Sequence, residues 1–198
     1  MRKTLLLLAA LPLTAHAHHF MGGGLPQTWM QGLLSGLGHP VVEADHAAFI
    51  IAIGFLLALV DRGLWALVAI IAGGLCGAAL HLAGVGVPGI EAGVALSVLI
   101  AGVLLALRRR LSLVWMSSGL AVAGVLHGYA YAETIFGAEP GALAAYLFGF
   151  SIMQLVLASL AFVVHRHLIA SRRPALASGL GAVTGLLGTV FLALSVLP

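Results

Sequence analysis

HPVVEADHAAFIIAIGFLLALV, residues 39–60, sets two histidines and two carboxylates directly ahead of an unbroken apolar run. The rest of the chain is built of the same material. Of its 198 residues 62% are hydrophobic and 8% charged, with a mean hydropathy of +1.15, whereas an ordinary soluble domain carries roughly 25% charged residues. This excludes a soluble globule. It also leaves no stretch for a separate water-soluble catalytic domain, because apolar segments of about 20 residues follow one another from Ala47 to Leu197.

Working outward from that stretch, the hydropathy predicts an all-α membrane protein with six transmembrane helices. The spans run over Glu43 to Val60, Leu64 to Ala83, Ile90 to Leu107, Leu113 to Tyr131, Gly141 to Val164 and Leu176 to Leu197. At ~1.5 Å rise per residue each reaches across the ~30 Å hydrocarbon layer. Trp29 to Leu37, interrupted by Gly32 and Gly36, reads as a short helix on the outer side before the first span. Gly73-xxx-Gly77 and Gly181-xxx-Gly185 read as packing signals, where small residues let backbones approach.

The amino-terminal residues have a different character. Arg2 and Lys3 precede an apolar run from Leu5 to Leu13, and Ala15-His16-Ala17 forms a small-residue cleavage box. The expectation is a signal peptide over residues 1–17 and a single six-helix domain over residues 18–198, its mature start at His18-His19.

Arg62, Arg108, Arg109, Arg110, Arg166, Arg172 and Arg173 then all fall in the three cytoplasmic loops if both mature termini are periplasmic. The net charge of +3 and pI of 9.6 therefore report orientation in a bacterial inner membrane rather than a nucleic-acid partner. Lys3 is the only lysine, so no GxxxxGK[ST] loop exists to bind a nucleotide. Cys76 is the only cysteine, which excludes an intramolecular disulfide and a thiolate cluster within one chain.

Ionisable groups at membrane depth are costly and mark functional positions. With Pro40 opening the first spanning helix, His39, Glu43 and His46 share a stripe and Asp45 lies about 100° around from His46. His81 ends the second span on the same side, Glu91 begins the third, His127 ends the fourth, and Glu133 follows. Polar groups from four helices on one leaflet fit a divalent-cation site, and imidazole with carboxylate suits nickel, cobalt, zinc or iron rather than copper(I). Plainer roles stand beside this one. His81 also fits an interfacial residue, Glu91 a helix N-terminal charge, and Gln154 and Tyr146 either a pathway or ties between helices. His165 and His167, among arginines, read as solvated.

GLGHPVVEADHAAFIIAIG (residues 36–54), PGIEAGVALSVLIAGVLLA (88–106) and HGYAYAE (127–133), behind a signal peptide and a histidine-rich start, resemble the HupE/UreJ family of nickel and cobalt permeases. Its HPxxGxDH motif maps onto His39, Pro40, Asp45 and His46, with Glu43 in place of the glycine. Its HGxAHGxE motif maps onto His127, Gly128 and Ala130, with Tyr131 in place of the second histidine and Glu133 one residue early. The resemblance implies uptake of Ni2+ or Co2+ as the transported ion, without a prosthetic group. His39, Asp45, His46 and His127 are the leading ligands, and Glu43, Glu91, Glu133 and His81 further candidates. The alternatives are an intramembrane metalloenzyme, although no HExxH is present, and an accessory protein that binds metal for a partner.

Overall fold

The structure, a computed structural model, describes residues 24–169 and 173–197, without the side chains of residues 168 and 169. The expected signal peptide, the His18-His19 start and Arg172 lie outside the described residues. Among those described there is helix and no strand: α1 Trp29–Val42, α2 Ala44–Leu57, α3 Ala66–Leu82, α4 Ile90–Ala106, α5 Leu113–Thr134, α6 Pro140–Val164 and α7 Pro174–Val196. A 3-10 turn, Gly63–Trp65, leads into α3, and a π-helical turn, His165–Ile169, follows α6.

Among the described residues four helical stretches are long and apolar enough to cross a membrane: Gly63–Leu82, Leu113–Thr134, Pro140–His167 and Pro174–Val196. The pair α1 and α2, bent by 76° at the break between them, qualifies only when taken together, and α4 is apolar but shorter. That break differs from the sequence expectation. Pro40 does not open the spanning helix. It lies buried near the C-terminal end of α1, which runs on to Val42 rather than stopping at Leu37. Proline removes the hydrogen bond to the carbonyl four residues back, so the last turn is weak, and the chain leaves the helix at Glu43, with φ −80° and ψ 113°.

Three close helix pairs make up the body of the molecule: α1 with α6, α3 with α5, and α4 with α7. Each is closed by glycine. A Cβ at Gly32 or Gly36 would strike the α6 backbone at Ala142 or Tyr146, one at Gly77 the α5 backbone at Val125, and one at Gly181 the α4 backbone at Ala106. Without aqueous solvent to drive helices together, contact of this kind is what holds them. The two glycine spacings read as packing signals in the sequence are packing surfaces in the structure.

Helix α2 stands between these pairs, against α6, α4 and α7. From Phe49 to Leu57 every residue but Ile51 is buried. A helix apolar on all sides is a buried helix, and Phe49, Ile50, Leu56 and Leu57 are at most 1% exposed. The outer helices instead show apolar side chains outward, such as Val68, Ile100, Val122, Leu160 and Leu186.

The C-terminal end of α2 meets the C-terminal end of α6, where His165 Nδ1 lies 2.6 Å from the Phe55 carbonyl and within electrostatic reach of Arg108. The connections after α2, α4 and α6, which carry Arg62, Arg108–Arg110 and Arg166, therefore gather at one end. His165 corrects the sequence reading. It is fully buried and stacks on the Phe55 ring at 4.9 Å, because the π-helical turn carries it inward while His167 stays exposed.

Candidate metal site

At the opposite end of α2 the break at Glu43 brings polar side chains together. Asp45 is in the first turn of α2, where the positive end of the helix favours a carboxylate. Its Oδ1 accepts from the backbone N–H of His46 at 2.8 Å and lies 2.8 Å from His46 Nδ1. A carboxylate can only accept, so Nδ1 carries the proton and the other ring nitrogen, Nε2, presents its lone pair. His46 is 8% exposed, and Nε2 is buried with no hydrogen-bond partner among the described residues. A carboxylate that fixes the tautomer of a histidine whose far nitrogen is left for an ion is the usual arrangement behind metal ligands.

Two further imidazoles flank His46. The His39 ring, from the last turns of α1, lies edge-on at 5.4 Å between centroids, and the His127 ring, from α5, at 5.3 Å. Tyr131, one turn beyond His127, stands 4.8 Å from His46 and 5.4 Å from His39. Tyr146 and Phe150 of α6 close the side around His39, at 5.9 Å and 6.0 Å. His127 is 1% exposed, stacked on Phe49 at 4.3 Å, with Nε2 2.8 Å from Ser97 Oγ and Nδ1 3.1 Å from the Tyr131 hydroxyl.

The structure thus places His39 of α1 and His127 of α5 beside His46, next to its neighbour Asp45. It does so loosely: among the described residues no three His, Cys, Asp or Glu side chains stand in a geometry that would hold a metal ion together. Glu43, at the break itself, is half-buried and within electrostatic reach of Tyr146. Glu91, in the first turn of α4 after the left-handed Gly89, is exposed, and so is Glu133 at the end of α5. His81 packs away from the cluster, edge-on to Tyr129 at 4.7 Å and to Phe136 at 5.4 Å.

Sequence reasoning missed Ser97 as a partner of the site. Its signal was present, since it is the one hydroxyl in the otherwise apolar run from Val94 to Ala106. Gln154 sits one turn beyond Phe150 and lines a cavity of about 10 Å3 with Tyr131 and Gly128. Tyr146 adjoins His39 in the cluster itself.

Comparison with known proteins identifies a family for the chain. The model of the family described as HupE / UreJ protein matches residues 5–191. A curated protein, "Protein HupE" of Rhizobium leguminosarum bv. viciae, is 29% identical over 133 residues, which cover 65% of this chain and 64% of that protein's length. No solved structure matches.

Proposed function

The chain belongs to the HupE/UreJ family, associated with nickel and cobalt uptake or handling, and from that premise we propose that it is an inner-membrane secondary permease importing Ni2+ or Co2+. The entry site is the cluster of His39, Asp45, His46 and His127. One observation carries this reading: His46 holds a buried Nε2 lone pair with no hydrogen-bond partner among the described residues, while its other nitrogen is fixed by Asp45.

The placement fits import. Helix ends that meet at a break inside a span put carbonyls and a helix N-terminus beside a transported ion, and here α1 and α2 meet at Glu43. The arginine-bearing connections lie at the other end, which supports a periplasmic face for the cluster and periplasmic termini after six crossings. A doubly charged ion moving inward gains about 2 × 2.3 kcal/mol per 100 mV of inside-negative potential. No nucleotide is needed.

Flux of radioactive nickel and cobalt into proteoliposomes tests the proposal. Wild-type protein is expected to carry a saturable flux that His46→Ala abolishes. An intramembrane metalloenzyme would give none, and an accessory binder would hold the ion without passing it; either result, or normal flux with His46→Ala, overturns the reading.

A further inference from the structure

The hydrogen bonds around His127 determine which of its nitrogens is available. Ser97 Oγ lies 2.7 Å from the Val94 carbonyl and 2.8 Å from His127 Nε2. The carbonyl can only accept and a hydroxyl has one proton, so Ser97 donates to Val94 and accepts from Nε2–H. His127 is then the tautomer protonated at Nε2, and Nδ1 is its sole lone pair. That lone pair is taken as well: the Tyr131 hydroxyl, 3.1 Å away, donates to it.

From this geometry we infer that Tyr131 is a latch on the metal site, its hydroxyl masking the one coordinating atom of His127 until an ion displaces it. The inference rests on the reading of the cluster as a metal site and assigns a residue that sets its affinity. Tyr131 is well placed for the task. It is 3% exposed and packed against Phe150 at 3.9 Å, with its ring 5.4 Å from that of His39 and 4.8 Å from that of His46. An ion bound at His46 Nε2 gains His127 only by breaking the bond from Tyr131, so each binding event is weakened by that bond and each release is assisted by its return. A permease needs a site that can be vacated, and the latch supplies this without removing a ligand.

Tyr131→Phe keeps the ring and deletes only the hydroxyl. Equilibrium dialysis of the purified full chain against nickel should show this variant binding about two- to tenfold more tightly than wild type, the range one neutral hydrogen bond spans, and half-saturation of uptake should fall with it. An affinity unchanged or weakened overturns the latch. A second readout does not depend on metal. In protein labelled with 15N at histidine, the wild-type His127 should show a protonated Nε2 and a hydrogen-bonded, unprotonated Nδ1, and Tyr131→Phe should move Nδ1 to the position of an unbonded imidazole nitrogen. A wild-type His127 protonated at Nδ1 also overturns the latch. His46→Ala in the same dialysis separates the two proposals: binding equal to wild type refutes the metal site, whereas lost binding beside an unaltered Tyr131→Phe refutes the latch alone.

Discussion

Replacing Asp45 with asparagine tests whether that carboxylate tunes His46 or is itself a ligand. Asparagine has the same shape and keeps an oxygen that can accept from the His46 backbone and ring, both 2.8 Å from Oδ1. The fold should therefore persist, at a cost of about 0.3–1 kcal/mol for the charge lost from the first turn of α2. What disappears is the negative charge behind the imidazole. An ion on Nε2, with a metal–nitrogen bond of ~2.1 Å, stands roughly 7 Å from the carboxylate. At an effective dielectric of ~20 a double charge at that range is worth about 5 kcal/mol. Relief of desolvation and the remaining amide dipole offset part of this, so the expected loss is the 10- to 100-fold typical of a group behind a ligand, about 1.4–2.7 kcal/mol. Equilibrium dialysis with radioactive nickel measures the affinity and thermal unfolding in detergent the stability. Affinity within twofold of wild type would refute the role given to Asp45. A loss as complete as that of His46→Ala, with stability intact, would make Asp45 a direct ligand and refute the supporting role.

Gly77→Ala should lower unfolding stability by about 1–3 kcal/mol, since the added methyl meets the Val125 carbonyl and α3 and α5 must part. Gly119→Ala, where an added Cβ meets nothing, should be neutral or raise stability by up to ~1 kcal/mol through helix propensity; equal losses from both in a thermal scan would refute the close-packed pair. At the other end of the molecule, Leu59 N–H bonds to Leu56 and leaves the Phe55 carbonyl to His165. His165→Ala should cost ~1–3 kcal/mol by orphaning that acceptor and His167→Ala no more than ~0.5 kcal/mol, with nickel uptake per folded protein kept in both. Loss of uptake from folded His165→Ala would place a transport step at the arginine-rich end.

Hydropathy alone located the helical segments closely, because lipid admits few alternatives to a hydrogen-bonded helix and because Gly and Pro punctuate the loops. The limit of α1 was not legible. Pro40 is a common first residue of a helix, and only its position behind Gly36, where α1 lies against α6, holds it inside one instead. For the site, the neighbours Asp45 and His46 are a local pattern and could be read directly. His127, on another helix, is indicated by its depth on the same side and by the motif it begins. His81 shows the weakness of a leaflet argument: being at the correct depth on α3 does not turn a side chain toward the break, and this one faces Tyr129 and Phe136. Ser97 and the tautomer it sets depend on how α4 is rotated against α5, which no single-chain pattern encodes. For His165, proximity in sequence to arginines points to exposure, whereas the π-helical turn holds the ring fully buried.

The jacket around α2 has a consequence for the bilayer itself. Fourteen residues make a rod of only ~21 Å, well short of the ~30 Å hydrocarbon thickness. Exposed to lipid, it would force thinning or tilt to cover its ends. Enclosed by protein, α2 feels no such demand, and mismatch falls wholly on the outer helix pairs. Vesicles of thicker or thinner lipid should therefore strain those pairs first, while the element that carries Asp45 and His46 keeps its length, its break and its polar end in place.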